Sequence, residues 1–69
     1  MIEVFKTNVL TKETAKMMLS LLSKTYPDLK INFDLSDCDK ILRVQGNNIS
    51  AEKIIELITA NGYQCEVLV

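Results

Sequence analysis

Histidine and tryptophan are absent from this 69-residue sequence, proline occurs once, and glycine and cysteine twice each. Each shortage excludes something. Without histidine the chain loses the commonest general base and the commonest metal ligand together. Two cysteines, Cys38 and Cys65, are too few and too far apart for the disulfide framework of a small secreted scaffold. An excess of charge of one sign is also missing, because eight basic residues face nine acidic ones and leave a net −1. Such a balance gives no electrostatic footprint for nucleic acid or an anionic membrane. No apolar run approaches the roughly 18 residues of a membrane span, and the N-terminus is not basic and then apolar as in a secretory leader. A cytoplasmic protein is expected.

What is present is a globular composition, 48% apolar and 25% charged. A chain this short buries only about 60% of its unfolded surface and has room for one core, so residues 1–69 are expected to form a single domain.

Along the chain the period of the apolar residues marks six segments. "IEVFK" is β-branched and aromatic, with Ile2 and Val4 on one side and Phe5 on the other, as suits a central strand. From Thr11 the period is helical: Ala15, Met18, Leu19 and Leu22 recur on one stripe, with Met17 and Leu21 widening it. Thr11 suits the N-cap, Glu13 the first turn, and Pro27 stops the helix at Tyr26. "LKINFDL" alternates strictly between apolar and polar residues. "SDCD" turns the chain, and "KILRVQG" returns as another strand. Ser50 caps a second helix with Ile54, Ile55 and Ile58 inside, and Asn61-Gly62 ends it. "YQCEVLV" closes as a strand.

The order β-α-β-β-α-β predicts an α+β, ferredoxin-like sandwich. Its antiparallel sheet would have the order 4-1-3-2 and carry both helices on one face. Leu22, Phe33, Leu42, Val44, Ile54 and Ile58 are the predicted core.

"FKTNV", "DCDKILRVQG" and "SAEKIIELITANGYQCEVL" together cover most of the chain and carry a resemblance. They resemble the heavy-metal-associated (HMA) domain family, the copper-chaperone-like modules also found at the N-termini of metal-pumping ATPases. That family's one firm motif is Cys-x-x-Cys in the loop opening the first helix. Here the segment reads "TKET", with Thr11 and Thr14 where the two cysteines would stand. Cu(I) and Zn(II) are held by ionised thiolates, whereas a threonine hydroxyl is hard and neutral at physiological pH. The resemblance therefore implies a degenerate metal site, with Asn8, Val9 and Tyr63 at its corner and no bound cofactor.

The other candidate ligands are weak. Cys65 alternates in step with Val67 and is expected on the core side of its strand. Cys38, in a turn, is a weak candidate ligand, expected too far from Cys65 for a shared ion or a disulfide. Met17 and Met18 are adjacent, so they point about 100° apart on a helix and cannot both face one ion. Asp34, Asp37 and Asp39 lack the twelve-residue spacing of a calcium loop.

Among function classes an enzyme is not expected. The chain has no glycine-rich phosphate loop, no Ser or Cys paired with a base, and no carboxylate pair in an evident cleft. RNA readers with the same element order stack bases on aromatics of the central strands, and "KILRVQG" has none. A non-enzymatic binding module remains. It would act in metal homeostasis through a protein partner or self-association, with at most a weakly bound metal ion. The alternatives are a Cu(I) or Zn carrier using non-standard ligands, and a regulatory small-molecule domain of the ACT type.

Overall fold

The computed structural model describes residues 1–36 and 40–68. Their elements run β1 (Ile2–Thr7), α1 (Lys12–Thr25), β2 (Lys30–Asp34), β3 (Ile41–Gln45), α2 (Ala51–Ala60) and β4 (Cys65–Val67). The four strands form one antiparallel sheet in the order β2-β3-β1-β4. This is the expected 4-1-3-2 order, counted from the opposite edge.

Both helices begin and end where local chemistry dictates. Thr11 caps α1 from an extended conformation, its Oγ1 accepting the Thr14 N–H at 3.1 Å, with Glu13 in the first turn. The helix ends at Thr25, one residue before Tyr26-Pro27, since the residue before a proline is pushed out of helical geometry. Ser50 caps α2 in the same way, accepting from the Lys53 N–H. At its other end Gly62 N–H donates to Thr59 C=O at 3.0 Å and Tyr63 N–H to Ile58 C=O at 3.3 Å. This pair of bonds is a Schellman motif, and Gly62, at φ 90°, supplies the left-handed residue it needs.

Register decides which side chains share a face. Phe5 lies opposite Leu42 and Val67, Leu42 opposite Phe33, and Val44 opposite Ile31. That face receives Met18 and Leu22 of α1 and Ile54 and Ile58 of α2 in one buried cluster with Phe5, Leu42 and Val44. Both helices thus cover the same side of the sheet. The Cα radius of gyration, 10.7 Å, equals the roughly 11 Å of one compact domain of this length.

Five of the six predicted core residues are fully buried, but Phe33 is only half-buried. Its strand is an edge strand, so no described strand closes over its outer side. Phe5 takes the central place instead, at 0% exposure. Met18 is buried and Met17 is 48% exposed, as their angular separation on the helix requires. β4 is shorter than the reading "YQCEVLV", because Tyr63 belongs to the Schellman turn and precedes the paired residues. Among the described residues no helix is long and apolar enough to cross a membrane.

Candidate functional site

The loop joining β1 to α1 is held by side chains at each step. Thr7 keeps the two-residue period of Phe5 and points inward, where it is buried. Its Oγ1 donates to Lys40 C=O at 2.7 Å and accepts from Val9 N–H at 3.2 Å. The second bond turns the backbone so that Val9 enters the interior at 0% exposure, while Leu10 is left 72% exposed. Asn8 ties the loop on the other side. Its Oδ1 accepts the Gln64 N–H at 2.7 Å, and its own N–H donates to Gln64 C=O at 3.4 Å.

These bonds bring three connections to one end of the sheet. Lys40 leads into β3, and Gln64 leads into β4 directly after Tyr63. The first loop, the start of β3 and the "NGY" turn therefore meet around Thr7 and Asn8. Tyr63 is half-buried and packs against the core cluster. As the residue that follows the left-handed glycine of the Schellman motif, it is placed there by the helix end itself.

At the mouth of α1 the two threonines touch. Thr11 Oγ1 donates to Thr14 Oγ1 at 2.9 Å while accepting the Thr14 backbone N–H. The two side chains share one spot, and each hydroxyl is engaged by the other. The pair offers neutral oxygen only, which is poor chemistry for a soft cation and has no ready anionic form.

Cys65 stands on the helix-facing side of β4, opposite Thr7, half-buried against the core. Its thiol pKa is pushed from an ordinary 9.0 up to about 11, first by burial and then by the negative charge of Glu66. Little of it is thiolate at neutral pH, so it is a weak nucleophile there. Cys38, Asp37 and Asp39 lie outside the described residues. Asp34 accepts from Ser36 N–H at 3.2 Å and from Ser36 Oγ at 2.6 Å, an Asx-type turn closing the end of β2. Among the described residues no three His, Cys, Asp or Glu side chains stand close enough to hold one metal ion.

Sequence reasoning singled out Thr11, Thr14, Asn8, Val9 and Tyr63, and gave no part to Thr7 or Gln64. The signal for Thr7 was its inward parity on β1. Its partner, 33 residues away, carried no signal. Comparison with family models, with curated proteins and with solved structures finds no significant match to this chain.

Proposed function

We propose that the chain is a non-enzymatic binding module with a ferredoxin-like fold, a degenerate relative of heavy-metal-associated domains. In this reading it works in the cytoplasm, in metal homeostasis, through protein contacts and not through a bound metal. The observation that carries the reading is the contact between Thr11 and Thr14 at the mouth of α1. Two side chains three residues apart converge at 2.9 Å on a helix N-terminus, the arrangement a two-thiolate site needs, with hydroxyls in place of sulfur. The strand order and the shared helix face support the same assignment.

The test is competition for Cu(I) against a chelator under reducing conditions. The natural chain should not compete. Thr11→Cys/Thr14→Cys should, because the helix end and its free N–H groups favour thiolates there. The double change should also lower stability by about 0.5–2 kcal/mol, since cysteine is a poorer cap than threonine. Tight one-to-one binding by the natural chain would sink the reading in favour of a metal carrier with unusual ligands. Failure of both chains to bind would leave the family relationship without functional content.

A further inference from the structure

We propose that two copies of this chain pair through the outer edge of β2, antiparallel, with Asn32 facing Asn32 across a two-fold axis. The inference rests on the reading of the chain as a protein-contact module and names its partner, a second copy.

The backbone of the sheet sets which groups are available. Gly46 N–H donates to Met1 C=O at 3.0 Å and Thr7 N–H to Lys40 C=O at 3.2 Å, so even-numbered residues of β3 direct their backbone groups toward β1. Ile41, Arg43 and Gln45 therefore direct theirs toward β2, where they face Asp34, Asn32 and Lys30. By alternation Ile31 and Phe33 present their N–H and C=O groups outward. No described strand lies on that side. An edge of this kind is a template for another strand.

The register follows from these groups. In an antiparallel pair, hydrogen-bonded positions must join outward-facing residues, so Ile31 comes opposite Phe33 of the second copy, and Phe33 opposite its Ile31. That register forms four N–H···O bonds. It also sets Lys30 opposite Asp34 of the second copy, twice by symmetry, on the open face of the sheet. Sliding by two residues either way sets Lys30 opposite Asn32 or Ser36, and neither matches its charge. The edge is self-complementary in one register only, as an isologous contact requires. Asp34 is already engaged, by Ser36 among others, and Lys30 of the second copy would share a carboxylate with about four acceptor sites.

The helix-facing side agrees. A groove of 350 Å³ lies between α1 and the edge of β2, lined by Ala15, Leu19, Phe33 and Leu35 with Lys12 and Lys16 at its rim. Ile31 of the second copy comes beside Phe33 there and covers it. Because the two α1 helices run antiparallel across the axis, each Lys12–Lys16 end approaches the last turn of the other helix, where Lys24 stands, and this like charge weakens the pair. β4, the other edge, offers only three residues. One strand pair and one groove make an interface below the standard size, so the dimer is weak.

Sedimentation velocity between about 10 μM and about 1 mM tests this, the range over which a small interface associates. The natural chain should shift toward twice its monomer mass. Lys30→Asp and Asp34→Lys should each weaken association about tenfold or more, because like charges then face each other at both ends. An equimolar mixture of the two variants should restore the dimer, since one chain then carries two acids at the edge and the other two lysines. Restoration on mixing also demonstrates that both variants are folded. A natural chain still monomeric at the upper concentration overturns the proposal. So do single variants that dimerise like wild type, or a mixture that stays monomeric. These failures are separate from failure of the parent reading, which is decided by Cu(I) competition whatever the mass.

Discussion

Cys65 shows how much of a residue's behaviour is set by its strand position. Burial against the core disfavours the thiolate, and Glu66 beside it disfavours it further. Alkylation of Cys65 in the folded chain near pH 8 should be at least about tenfold slower than in denaturant, since each pKa unit removes a factor of ten in thiolate. Mass spectrometry of the labelled protein reads this directly, and equal rates would mean that the thiol is open to solvent. The same shift has a stability consequence. The folded state holds the thiol proton more tightly than the unfolded state, so its contribution is intact below about pH 9. It is lost as pH rises from 9.0 through about 11. Denaturant midpoints of wild type should therefore fall faster across that window than those of Cys65→Val, which cannot ionise. Parallel curves would remove the effect.

At the scale of elements, the two helices are the part of the fold most fully written in local sequence. Thr11, Glu13 and Tyr26-Pro27 bound α1, and Ser50 and Asn61-Gly62 bound α2, each by a mechanism that acts within a few residues. Thr11→Ala should destabilise the domain by about 0.5–2 kcal/mol, because the Thr14 N–H loses its acceptor. Gly62→Ala should cost about 1–2 kcal/mol, because a side chain is disfavoured at φ 90° although nothing lies within 4 Å of the added carbon. Thermal or denaturant unfolding measures both. A neutral Gly62→Ala would mean that the Schellman turn can relax without loss. The candidate site divides along the same line. Thr11 and Thr14 were legible because their contact spans three residues. The ties that fix the loop's other end, Thr7 to Lys40 and Asn8 to Gln64, span 33 and 56 residues, and no local pattern encodes them.

For the whole molecule, strand order could be read from the alternation of elements, but the core was not weighted by it. Phe5 and Phe33 look alike in sequence, each an aromatic within an apolar strand. What separates them is that β1 is central and β2 is an edge, which the order 4-1-3-2 already implies, while the strict alternation around Phe33 points to the core regardless. Phe5 lies in the buried cluster at 0% exposure, with Leu42 and Val67 opposite it on its two neighbouring strands. Its loss leaves a cavity that rigid neighbours on both sides cannot fill, so Phe5→Ala should cost about 3–5 kcal/mol. Phe33 is half-buried beside an open groove, and its neighbours can settle into the space, so Phe33→Ala should cost clearly less. Small domains have total stabilities of only about 5 kcal/mol at the low end, so the first change should leave the chain largely unfolded at 25 °C and the second should not. Circular dichroism with urea titration distinguishes them. Equal losses would place the structural centre of the domain nearer β2 than the packing indicates, and would count against β2 as an edge free to receive a second copy.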